Sequence, residues 1–256
     1  MTALRFVRCD ADGAVLRIML ARPPLNILTI EMMDELNAAL ETAIARPRLK
    51  AVVLGAEGKA FSAGVAIEDH QGERVKPMLD SFHRIFRQLH GLDCVTLAAV
   101  QGAALGGGAE LATFCDVVIA ADTATLGQPE IKVGVFPPIA VLHYPVRVGP
   151  QRALRLLLTG EVIGAAEAER IGLVDRVVPA DKLAETVEAE LGRYTAQSAV
   201  VLRLTKRAMR EARSTGFEEG LSMLEELYHH ELMTTEDAEE GLRAFVEKRK
   251  PVWKDC

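Results

Sequence analysis

A chain of 256 residues with 30 lysines and arginines against 36 aspartates and glutamates carries a formal charge of −6 and no basic run, which makes it a poor candidate to grip a phosphate backbone. An apolar fraction of 49% with 26% charged side chains excludes disorder and suffices for one large core or two small ones. The longest uncharged run, Cys94 to Ala109, contains four glycines and is too short to cross a bilayer. Arg5, Arg8, Asp10 and Asp12 stand where a signal peptide would need an apolar core. Four cysteines (Cys9, Cys94, Cys115, Cys256) lie far apart without a Cys-x-x-Cys pair. Together these features predict a reduced cytoplasmic protein without a zinc site.

In chain order, Val15 to Leu20 reads as a strand. Thr29 then caps a helix to about Ala45, in which Met32, Met33, Leu36, Leu40 and Ala43 recur at helical spacing. Ala51 to Leu54 is a buried strand. Residues 78–90 form a helix with the stripe Met78, Leu79, Phe82, Ile85, Phe86 and Leu89. Strands at Val95–Val100 and Val117–Ala121 bracket a helix that begins at glycines. Beyond Gln151 helices dominate: 151–158, 165–170, 181–195, 198–213, 217–232 and 236–249, with one strand at Leu173–Val178. The pattern predicts an α/β core over 1–197 and a helical region over 198–256.

Three segments carry candidate chemistry. In Gln101-Gly-Ala-Ala-Leu-Gly-Gly-Gly-Ala-Glu110, three consecutive glycines follow a strand and open a helix, so free N–H groups can face developing negative charge. The Gly-Lys-Ser/Thr of a phosphate loop and the spacing of a dinucleotide fingerprint are both absent, and tight helix–strand packing would also explain the glycines. Glu110 and Glu130, twenty residues apart in apolar surroundings, could divide general-acid and general-base work; equally, Glu110 could serve only the helix dipole and Glu130 only a turn. Lys59-Ala-Phe-Ser-Ala-Gly-Val-Ala-Ile67 offers a second small-residue turn. The six histidines show no ligand spacing, and no serine sits in a nucleophile elbow.

Taken in order and spacing, several pieces resemble the enoyl-CoA hydratase/isomerase (crotonase) family over nearly the whole chain. They are Arg22-Pro-Pro-Leu-Asn26, Lys59-Ala-Phe-Ser-Ala-Gly64, Ala99 to Glu110, Cys115-Asp116, Leu126-Gly-Gln-Pro-Glu130, Leu158-Thr-Gly160, Ala168 to Val174, and Glu240 to Arg249. The resemblance implies a crotonase-like spiral of ββα units, a C-terminal helical trimerisation region, and acyl-CoA thioester substrates, with a homotrimer or dimer of trimers as the assembly. It implies no cofactor, since coenzyme A enters with the substrate, and neither a nucleic-acid nor a membrane partner. The family's oxyanion donors fall on the backbone N–H groups of Val65 and Gly107, and its two hydratase glutamates on Glu110 and Glu130. Ala63 and Ile67 match CoA-binding positions. Phe245 and Lys248 match C-terminal positions that reach a neighbouring subunit's CoA.

Two departures stand out. Ala66 replaces the aspartate of Ala-Gly-x-Asp. The glycine-rich Pro-Gly-x-Gly-Gly-Thr after the second glutamate gives way to Val135-Phe-Pro-Pro-Ile-Ala-Val-Leu-His-Tyr144. In the family this region helps line the acyl end, so the resemblance implies that Phe136, Pro137 and Ile139 lie in the acyl pocket. The segment and the C-terminal end are similar to one branch, the cyclohexa-1,5-diene-1-carbonyl-CoA hydratases of anaerobic benzoyl-CoA degradation. The expected function is thus a hydratase converting such a dienoyl-CoA to the 6-hydroxycyclohexenoyl-CoA. Alternatives are a general short-chain enoyl-CoA hydratase, an isomerase, or a CoA- or RNA-binding relative without catalysis.

Overall fold

The computed structural model describes residues 4–213 and 215–256. An antiparallel hairpin opens the chain, β1 (Val7–Asp12) and β2 (Val15–Leu20). Periodicity gives no sign of β1, because five of its six side chains are exposed. Next come α1 (Ile30–Ile44), β3 (Ala51–Ala56), α2 (Val75–Gly91), β4 (Val95–Val100), β5 (Ala103–Leu105), α3 (Gly107–Thr113), β6 (Val117–Ala121) and β7 (Thr125–Gly127). As expected, Thr29 caps α1, its side chain accepting the Met32 N–H. A 3-10 turn, Pro129–Val133, leads to α4 (Pro138–Val148), α5 (Pro150–Thr159), β8 (Val162–Gly164), α6 (Ala165–Ile171) and β9 (Arg176–Val178). The chain ends in α7 (Leu183–Thr195), α8 (Ala199–Ala212), α9 (Phe217–His230) and α10 (Glu236–Val246).

Six strands form one sheet in the order β1-β2-β3-β4-β6-β9, parallel from β2 onward, and β5-β7-β8 form a second. The units β4–β5–α3 and β6–β7 each give one strand to either sheet before the chain turns into helix. This is the strand–strand–helix unit expected. The central strands are buried on both faces, which is why they read as unbroken apolar runs. Val52, Leu54, Ala98 and Val118 enter the main core with the stripes of α1 and α2. Val53, Leu97 and Ile119 pack on the other face against Val187 and Leu191 of α7.

Three sequence expectations are corrected. The strand predicted at Leu173–Val178 begins only at Arg176, because the N–H groups of Leu173 and Val174 both turn back to Ala168 O at the end of α6. The helix predicted to reach 249 stops at Val246, and Lys248 takes a left-handed conformation. Residues 138–148, read only as an altered segment, form α4, with Pro138 at the helix start where its missing N–H costs nothing.

Helix α8 is fastened to the sheet: Lys206 pairs with Asp116 at 2.6 Å and donates to Cys94 O at 2.8 Å, and Arg210 pairs with Asp93 at 2.8 Å. Beyond it, α9 and α10 leave Phe217, Leu221, Tyr228, Leu242, Phe245 and Val246 exposed.

Candidate active site

Two turns meet beside the end of the main sheet. In the turn after β3, Gly64 O accepts the N–H of Leu28 from the segment before α1 (2.9 Å) and Ala66 N–H donates to Leu28 O (3.0 Å), while Leu105 N–H donates to Ser62 O (2.9 Å). These bonds press the Ser62–Ala66 segment against β5. Gly64 has φ +104°, and a Cβ there would lie 3.0 Å from Leu105 O and 3.6 Å from Gly107 N, so only glycine lets the turns touch. Among the described residues, neither the Val65 N–H nor the Gly107 N–H has an acceptor in the chain. Gly107 begins α3, where the first N–H groups of a helix are unpaired by construction.

One turn further along α3 stands Glu110, 2% exposed, its Oε1 accepting the Ala140 N–H of α4 at 2.8 Å. Burial pushes its carboxyl up to about 8; the Ala140 N–H opposes that rise and the charge of Glu130 adds to it. Glu130 lies in the 3-10 turn and is pushed up to about 7, again by burial. Its Oε1 rests on the Gly106 backbone so closely that a Cβ on Gly106 would come within 2.6 Å.

Both carboxyls face one cavity of about 650 Å³. Of the residues singled out in the sequence, Ala63, Val65, Ile67, Gly107, Glu110, Glu130, Phe136 and Pro137 line it. Ile139 does not; it packs against the main core, because α4 turns that side chain away from the cavity wall. Phe245 and Lys248 also lie off the wall in this chain, and Phe245 is 84% exposed. The sequence reading missed His70, Gln71, Val75, Lys132 and Val133 as lining residues, and assigned Met78, Leu79 and Phe82 of α2 to the core alone. The α2 stripe carried a signal for burial but none for which buried residues would face a hollow. His70 donates its Nδ1–H to Ala66 O at 2.9 Å.

Two carboxyls titrating near neutrality, beside two free backbone amides in an apolar hollow, suit a carbonyl compound whose oxygen gains charge while protons move. The profile of the enoyl-CoA hydratase/isomerase family matches residues 10–256, and the chain belongs to that family. It is 39% identical to cyclohexa-1,5-dienecarbonyl-CoA hydratase of Thauera aromatica, over 96% of this chain and 95% of that protein. A probable enoyl-CoA hydratase of Mycobacterium bovis is 40% identical over 94% and 95%. The crystal structure of an enoyl-CoA hydratase subunit from Geobacillus kaustophilus superposes with a TM-score of 0.92 at 35% identity, covering 99% of each chain, so the fold is crotonase-like. Among the described residues no helix is long and apolar enough to cross a membrane.

Proposed function

We propose that the protein is a hydratase adding water to an unsaturated acyl-CoA thioester. The observation that carries this reading is the pair Glu110 and Glu130 on one apolar cavity, both held near neutrality. In this reading the thioester oxygen sits between the Val65 and Gly107 N–H groups, which hold the charge of the enolate. One carboxylate draws a proton from water as its oxygen attacks the β-carbon, and the other carboxylic acid supplies a proton to carbon. Ala63 and Ile67 would lie along the CoA chain. Phe245 and Lys248 would reach the CoA of a neighbouring subunit in a trimer or a dimer of trimers.

The substrate we propose is a cyclic conjugated dienoyl-CoA. The replacement of glycines by Val135-Phe-Pro-Pro138 and the start of α4, together with similarity to the Thauera aromatica hydratase, supports this choice. Attack at the ring β-carbon passes charge through the second double bond as a dienolate. Protonation at the γ-carbon then leaves a double bond conjugated with the carbonyl, a 1,4-addition. Turnover in deuterated water followed by NMR tests it: deuterium at the γ-carbon is expected. Deuterium at the α-carbon, or faster turnover of crotonyl-CoA, replaces this reading with a general short-chain hydratase. Double-bond migration without water uptake replaces it with an isomerase.

A further inference from the structure

Gln128 is fully buried between the Gly106 turn and α4. With its amide nitrogen toward the Tyr144 hydroxyl, its oxygen would face two acceptors, Gly106 O and Glu130 Oε2. With the amide turned, every group is matched: the Tyr144 hydroxyl donates to Gln128 Oε1 at 2.8 Å, and Gln128 Nε2 donates to Gly106 O at 3.3 Å and to Glu130 Oε2 at 3.2 Å. The orientation of this amide is decided by its surroundings, because both of its donors then have acceptors and its oxygen has a donor. Tyr144 is 1% exposed and sits in α4, the same helix whose Ala140 N–H holds Glu110.

We propose that Tyr144 is a positioning residue for Glu130, acting through Gln128. A hydroxyl that donates to Gln128 Oε1 keeps the amide nitrogen aimed at the carboxyl. Without it, the buried amide oxygen is left with no donor, and the amide is held less firmly in the orientation that aims its nitrogen at Glu130 Oε2. A donor to Glu130 favours the charged carboxylate, so its loss moves the titration of Glu130 to higher pH. The other ionisable groups on the cavity wall that Glu130 faces are Glu110 from α3, His70 from the turn after Ala66, and Lys132 from its own turn. Tyr144→Phe leaves each of them in place.

The proposal rests on the role of Glu130 in the reaction, and the test separates the two. Tyr144→Phe removes one oxygen from a packed ring. It is expected to leave KM for the acyl-CoA near its original value, to lower kcat about tenfold, the scale of one hydrogen bond to an ionisable group, and to shift the acid limb of the pH–rate profile upward. In a Gln128→Leu background the same substitution is expected to change neither kcat nor the profile further, since its route to Glu130 is gone. Full loss repeated in that background, or an unmoved pH profile, would overturn the proposal. Carboxyl carbon NMR, with Glu130 assigned from Glu130→Gln, reads the titration without reference to turnover and serves should the Gln128 variant fail to fold. An upward shift of the Glu130 resonance midpoint in Tyr144→Phe supports the coupling even where Glu130 proves dispensable to the reaction. An unshifted midpoint refutes it.

Discussion

Glu110 and Glu130 owe their unusual titration to dehydration more than to each other. Burial is the largest cause for both, and the neighbouring charge comes behind burial and the Ala140 N–H for Glu110. Glu110→Gln and Glu130→Gln are each expected to lower kcat by on the order of 10²–10⁴ with little change in KM, checked by steady-state kinetics. The same burial has a consequence for stability. A carboxyl whose titration is raised in the fold binds more protons there than in the unfolded chain, so its contribution is complete below its unfolded value of 4.5 and is lost as pH climbs toward about 8. Thermal melts at pH 5 and pH 8.5 should therefore show Glu110→Gln gaining stability relative to the parent at the higher pH and little at the lower. An equal change at both would mean that Glu110 titrates normally.

Helix α4 is the element that organises the site from behind. Its Ala140 N–H meets Glu110, its Tyr144 meets Gln128, and His143 Nε2–H donates to Thr113 O at 2.7 Å, capping the C-terminal turn of the helix that carries Glu110. Burial holds His143 down to about 4, so the ring is neutral at pH 7. Between its unfolded value of 6.5 and about 4 the unfolded chain binds the proton and the fold does not, so stability falls as pH drops through that window. His143→Gln should flatten that loss in urea titrations run from pH 7 to pH 4.5. A parent and variant falling in parallel would show that another group carries the acid limb.

The whole molecule has more apolar surface than one chain covers. On α10, Leu242, Phe245 and Val246 are 58%, 84% and 80% exposed along one side, and Phe217, Leu221 and Tyr228 add to this on α9. Large exposed apolar side chains gathered on a helix face mark a surface that a partner covers. Light scattering is expected to give three, or six, times the 27.8 kDa of the chain. The pair Leu242→Glu and Val246→Glu is expected to release smaller species that bind CoA esters more weakly, because Phe245 and Lys248 would then lack a neighbour to serve. A monodisperse parent monomer would exclude the trimer.

Local pattern alone determined most of the frame. The strands Val15–Leu20, Val95–Val100 and Val117–Ala121 and the helix capped by Thr29 lie where periodicity and capping chemistry put them, because each is specified by residues adjacent in sequence. The glycines and the two glutamates were visible too, since close backbone approach and a carboxyl in an apolar run leave marks in the composition of a short segment. What tertiary structure decided was everything that depends on which buried residue faces a hollow. The α2 stripe divides between core and cavity, Ile139 falls on the core side, and His70 and Gln71 reach the wall from a turn with no period at all. The Tyr144–Gln128–Glu130 chain joins α4 to the 3-10 turn and the residue that precedes it, and no spacing within either segment specifies the hydrogen bond between them. A single strand or helix encodes its own buried face, but the shape left between faces exists only once they have packed.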